Sequence, residues 1–311
     1  MKEKTFNTFI IIISLFVLWE LIVKKSIIYS SIMYALNMWV NKLVPTLFPF
    51  FIISDILINY NITTYIPKII KKICKDIFRI SDNMLTILLL SMISGFPSNA
   101  RNARILYDSG KIEADEANHI LMFSNFANPL FILNTVGIFF FKSKNIGIIL
   151  LVIHYLSNFI LGILLRNMGN YDNKVNNSLI ENNNFGVTFI LAIKKAIDTI
   201  ITICGIVTVF LILSSLIINT FNFSNYNQMI IKGIFEITIG LEHLSSLNIN
   251  LNYKIIIASM ILAFGGISTH FQVLNQIADT KIKYSYFLIG RIFQMTIAGI
   301  MAYLYCLIMR I

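Results

Sequence analysis

Ser94-Gly95-Phe96-Pro97-Ser98-Asn99-Ala100-Arg101-Asn102 cuts through an apolar stretch that opens at Met84. Gly95 and Pro97 end one helical segment, and a second is expected over Ala100 to Ser109, with Ser98 and Asn99 capping its free amides. In hydrocarbon every backbone N–H and C=O must find a partner inside the protein. Irregular backbone therefore survives there only where it is buried or lines a wet cavity. Gly265-Gly266-Ile267-Ser268-Thr269-His270-Phe271-Gln272 interrupts another apolar stretch in the same way. Broken helices in corresponding places of two halves point to a substrate site near the bilayer midplane.

The composition around these breaks is that of an integral membrane protein. Of 311 residues, 57% are hydrophobic and 13% charged, against roughly 25% charged in soluble domains; the mean hydropathy is +0.76. A span needs about 20 apolar residues. Phe6 to Val23, Ala127 to Phe141, Ile146 to Leu165, Thr199 to Ile218 and Tyr284 to Met309 are expected spans. Ser31 to Tyr60, Met84 to Arg104 and Ile255 to Gln272 are apolar but interrupted. The net charge of +10 comes from basic residues flanking apolar segments, which argues for anionic headgroups as partners and against nucleic acid.

Lys2 and Lys4 precede the first apolar run, no small-residue cleavage motif follows it, and a retained signal anchor over residues 1–28 is expected. The Asn-rich stretch 167–185 cannot bury enough apolar surface to order itself and is expected as a linker. It divides a first repeat, 29–166, from a second, 186–311. A weak alignment sets Gly95 to Lys111 against Gly266 to Lys281, and an inverted pair is expected because it builds a shared midplane site. Between Thr64 and Arg79, Lys68, Lys71, Lys72 and Lys75 alternate with Ile66, Ile69, Ile70, Ile73 and Ile77 at helical spacing. That pattern predicts an interfacial amphipathic helix, cytoplasmic by its positive charge.

The breaks hold the candidate binding groups. A half-helix N-terminus carries about half a positive charge and attracts anions. Arg101 and Arg104 lie in the first turns of such a helix, where cations are unfavourable; they either mark a site or reach the interface near Asp108. A planar guanidinium suits bidentate carboxylate recognition. In Phe123-Ser124-Asn125-Phe126-Ala127-Asn128-Pro129-Leu130-Phe131, Asn125 and Asn128 offer amides at membrane depth, or Asn128 caps a helix with Pro129 at its first position. Ser268, Thr269, His270 and Gln272 are expected to face the same space from the second half. Glu236 is the best intramembrane carboxylate, able to couple ion movement or to pair with Lys232. His270 is either a proton carrier or a packing residue.

Cys74, Cys204 and Cys306 are isolated, and His119, His154, His243 and His270 lack ligand spacing, so neither disulfides nor a metal site is expected. No phosphate loop, HExxH motif or nucleophile elbow is present, so neither enzymatic activity nor a cofactor is expected. Two broken helices suit alternating access better than a continuous pore.

Ser94 to Arg101 and Phe123 to Phe131, with Trp39, Pro45-Thr46-Leu47-Phe48-Pro49 and Gly265-Gly266 before Gln272, resemble the sporulation integral membrane protein YlbJ (SpoVV) family, in the wider group with a nucleoside-recognition Gate domain. The resemblance implies an all-α polytopic fold of two repeats with broken or re-entrant helices, similar to concentrative nucleoside transporters. It also implies movement of dipicolinic acid, a planar dianion, across the outer forespore membrane. The expected site then comprises Gly95, Pro97, Ser98, Asn99, Arg101, Asn125, Asn128, Gly265, Gly266, Ser268, Thr269 and Gln272, with Glu236 and His270 for ion coupling. Membrane lipids and a small anion are the expected partners, and a homo-oligomer is compatible with them. Nucleoside transport and a non-transporting sporulation scaffold are the alternatives.

Overall fold

The computed structural model describes residues 2–169, 171 and 184–309, and the linker expected at 167–185 lies largely outside them. Among the described residues every regular element is helical: α1 (Lys2–Val23), α2 (Lys25–Met38), a π-helical turn (Trp39–Leu43), α3 (Val44–Asn59), α4 (Ile62–Tyr65), α5 (Lys68–Phe78), α6 (Asp82–Ser94), α7 (Ser98–Asp108), α8 (Ala114–Phe123), a second π-helix (Phe131–Phe140), α9 (Lys144–Leu164), α10 (Phe185–Thr220), α11 (Asn225–Phe235), α12 (Ile237–Ser246), α13 (Leu251–Phe264), α14 (Gly266–Ile277) and α15 (Tyr284–Met309). Among the described residues, five stretches are long and apolar enough to cross a membrane: Lys25–Asn59, Lys144–Leu164, Phe185–Thr220, Leu251–Ile277 and Tyr284–Met309. The chain is an all-α polytopic membrane protein.

The interruptions follow from local chemistry. Pro45 has no amide to give a carbonyl four residues back, and the turn before it, carrying Lys42, takes the wider π register. The basic helix is α5; it ends at Arg79 in the left-handed region, and the chain bends by 95° into α6. Ile69 and Ile73 are exposed, as are Lys68, Lys72 and Lys75, and Lys71 pairs with Asp82 at 3.0 Å.

Met84 to Arg104 is a hairpin. Gly95 turns the chain at φ +81°, and at the open end Asn83 Nδ2 donates to Lys111 O at 2.8 Å, so α7 runs back beside α6. Thirteen residues of α6 reach about 20 Å, short of the roughly 30 Å hydrocarbon core. A second hairpin joins α11 and α12 at Glu236, whose backbone is extended. Gly233 and Gly240 face each other so closely that a Cβ on Gly240 would fall on the opposite backbone, the small-residue approach that membrane helices use in place of hydrophobic drive. Lys232 Nζ meets His243 Nδ1 at 2.9 Å, not Glu236 as i,i+4 spacing allowed.

Each half thus presents a hairpin, an interrupted span and an unbroken span: α6–α7, α8 with the second π-helix, and α9; then α11–α12, α13–α14 and α15. This order sets Gly95 opposite Glu236, where direct alignment matched Gly95 to Gly266. The alignment keyed on glycine, and the second hairpin turns without one. Ala127 to Phe141, expected as a span, is the irregular end of α8's break plus ten π-helical residues, because Pro129 and the Asn128 cap start a new helix there.

Candidate functional site

A cavity of about 210 Å³ opens where the interruptions of both halves meet. Asn128, Phe131 and Asn134 line it from the first half, Glu236, Thr238, Thr269 and Gln272 from the second, with Lys42 from the π-helical turn and Phe96 from the first hairpin tip. Four of the residues picked from sequence, Asn128, Thr269, Gln272 and Glu236, therefore share one wall-to-wall space. The other expected residues do not line it.

Backbone contacts hold the tips in place. A Cβ on Gly95 would lie 2.6 Å from Asn128 N, and one on Gly266, itself at φ +73°, would lie 3.2 Å from Ile237 N. In each half the hairpin tip rests on the break of the following span, and only glycine permits that approach. Asn128 secures the first contact: Oδ1 accepts from Leu130 N at 2.8 Å, and Nδ2 donates to Ile93 O and Ser94 O at 3.3 Å. It is both the helix cap and a cavity group.

Ser98 and Asn99, expected as caps, lie inside α7, whose N-cap is Pro97 and whose first amides have no side-chain cap. Ser98 Oγ instead accepts from Ser94 Oγ at 2.5 Å. The N-terminus of α14, at Gly265, is likewise uncapped. Phe96, just before α7, and Thr269, in the first turn of α14, both face the cavity, although the terminal residues of the two helices themselves do not line it. Lys42 adds a full charge; its Nζ stands 5.1 and 5.3 Å from the Phe140 and Phe139 ring centroids. Opposing it, Glu236 caps α12, accepting from Thr238 N at 2.8 Å, Ile239 N at 3.0 Å and Thr238 Oγ1 at 3.1 Å.

Arg101 finds its carboxylate within the chain. Its Nη1 and Nη2 meet Asp55 Oδ1 and Oδ2 at 2.5 and 2.7 Å, Phe51 O and Thr199 Oγ1 lie at 3.3 Å, and both side chains are buried. The bidentate geometry expected toward a ligand ties α7 to α3. Arg104 is partly exposed, paired with Asp108 at 2.6 Å and donating to Ala278 O. His270 packs between Tyr284 Oη at 2.7 Å and Phe264 O at 3.1 Å.

Around Arg291 lies a buried polar cluster of which sequence inspection picked only Asn125. Arg291 in α15 is fully buried, although central arginines cost about 2.5–3.5 kcal/mol on insertion scales. Gln294 Nε2 donates to His154 O and Ser157 Oγ at 3.2 Å, and His154 Nε2 accepts from Ala127 N at 2.9 Å. Asn158 Nδ2 reaches Asn125 O at 3.1 Å. The one available signal was spacing: His154 and Asn158, like Arg291 and Gln294, repeat at one helical turn within otherwise apolar spans. Asn99, Asn125 and Ser268 keep side-chain polar atoms that are buried without a protein partner. Among the described residues no group of three His, Cys, Asp or Glu side chains is placed to hold a metal.

No family profile matches the chain, and no solved structure matches it. The sporulation integral membrane protein YlbJ of Bacillus subtilis (strain 168) is 28% identical over 302 aligned residues, which cover 85% of this chain and 74% of the relative. The chain is thus similar, through most of both lengths and on a helical membrane fold, to a sporulation integral membrane protein.

Proposed function

We propose that the chain is a sporulation-associated transporter that passes a small organic anion, dipicolinic acid, across the outer forespore membrane. The observation that carries this is the cavity: residues from both sides of the chain line it, as alternating access requires, and it gathers one lysine with the polar side chains of Asn128, Thr269 and Gln272. At about 210 Å³ it is below the roughly 300–1,000 Å³ of sites for drug-sized ligands and suits a small solute. Lys42 would hold one carboxylate, Asn128, Thr269 and Gln272 would orient the other, and Phe96 and Phe131 would flank the ring. Arg101 acts at one remove, by holding the hairpin against α3.

Glu236 favours a second reading. Its carboxylate opposes an anion and would accept from the hydroxyls of a neutral, nucleoside-like solute; in the first reading Glu236 is instead the coupling group. Uptake of labelled dipicolinate into proteoliposomes, with uridine as competitor, separates them. Saturable dipicolinate uptake that Lys42→Ala abolishes and Lys42→Arg weakens supports the first. Uridine uptake without dipicolinate uptake supports the second, and uptake of neither by folded protein moves the chain to the scaffold class.

A further inference from the structure

Arg291 has no surface exposed, and among the described residues no carboxylate pairs with it. A buried guanidinium needs compensation from somewhere. Its Nη2 donates to Met122 O at 2.8 Å; its Nη1 reaches Asn125 O at 3.3 Å and Ala263 O at 3.4 Å, and bonds Gln294 Oε1. Met122 is in the last turn of α8, Asn125 lies just past it, and Ala263 is in the last turn of α13. Those carbonyls are the ones a helix end leaves without an internal donor, and they form the negative poles of two half-helices. The counter-charge of Arg291 is therefore shared between the interrupted spans of opposite halves.

We infer that Arg291 is a positioning residue that clamps the two interrupted spans together and so sets the separation of the cavity walls. The elements beyond the two breaks carry those walls: Asn128 and Asn134 on one, Thr269 and Gln272 on the other. Arg291 itself does not line the cavity. Two features equip it for this work. Gly290 lets α15 approach until a Cβ there would fall on Met122 O, bringing the guanidinium within reach of the carbonyls. Gln294, anchored on α9, then fixes the plane of the fork. Lysine could supply the charge at this position but not three-way, planar donation.

The test needs no substrate, so it stands or falls apart from the transport reading. Nitroxides are placed at Ile138 and Phe271, both 49% exposed and each beyond one break. The protein has Cys74, Cys204 and Cys306 replaced, is held in lipid nanodiscs, and the spin–spin distance distribution is read by pulsed dipolar spectroscopy. The unaltered clamp should give one narrow distribution. Arg291→Lys should broaden or split it while the protein stays monodisperse, and Gln294→Leu, which keeps the arginine and removes its brace, should broaden it less. Distributions as narrow as the parent in both variants overturn the clamp. So does loss of folding in Arg291→Lys combined with an unchanged distribution in Gln294→Leu, which would leave the arginine a purely structural role.

Discussion

The Arg101–Asp55 pair can be separated from substrate recognition by a double-mutant cycle. Asp55→Leu removes both short charge-assisted bonds, at 2.5 and 2.7 Å, and leaves the guanidinium only Phe51 O and Thr199 Oγ1 at 3.3 Å. The side chains are 4% and 2% exposed, so solvent cannot take over. Stranding one member of a buried pair costs about 3–5 kcal/mol, which is about two to three and a half decades in the unfolding equilibrium at 1.4 kcal/mol per decade. Arg101→Met should cost a similar amount. The double variant, Asp55→Leu with Arg101→Met, removes both desolvation penalties and should lie between neutral and about 4 kcal/mol more stable than the parent. Reversible unfolding in bicelles, followed by steric trapping, reads all four corners. Single-variant losses below about 1 kcal/mol, the range of exposed pairs, would refute the reasoning, as would a double-variant loss equal to the sum of the singles. The double variant should also keep solute uptake. Lost uptake with retained stability would put Arg101 in the substrate path after all.

Arg104→Ala should cost less than about 1 kcal/mol in the same assay, because its pair with Asp108 is partly exposed and surface ion pairs contribute little. Gly95→Ala combines φ +81° with a clash at Asn128 N; strain of about 1–3 kcal/mol should appear as a lowered unfolding midpoint, and an unchanged midpoint would remove the tip contact from the account. Glu236→Ala strips the cap from α12, a loss of about 0.5–2 kcal/mol that should speed hydrogen exchange at the Thr238 and Ile239 amides. Replacing exposed Lys68, Lys72 and Lys75 by glutamine should lower retention of anionic over zwitterionic lipid in native mass spectra, at about 1 kcal/mol per lysine; equal retention would detach α5 from the headgroups.

Whatever depends on neighbouring residues was legible in the chain itself. Hydropathy placed it in the membrane; Gly95, Pro97 and Gly265-Gly266 announced interruptions because they alter the backbone wherever they stand; and the lysine–isoleucine spacing of residues 64–79 required a helix with two unlike faces. Asn128, Thr269, Gln272 and Glu236 were recognisable as polar groups that an apolar segment would not otherwise carry. Three-dimensional packing decided which groups meet. Arg101 is 46 positions from Asp55, and only the return of α7 against α3 turns an open anion site into a closed ion pair. Glu236 turns a hairpin without glycine or proline, so its break had no local mark. Arg291 hid in an apolar span because most of its partners are backbone carbonyls, which every residue has and no sequence distinguishes. In lipid, helices are not sorted by hydrophobicity, since the solvent is as apolar as they are. Their pairing is chosen by close approach and by unsatisfied polar groups finding one another, and both exist only once the chain has folded.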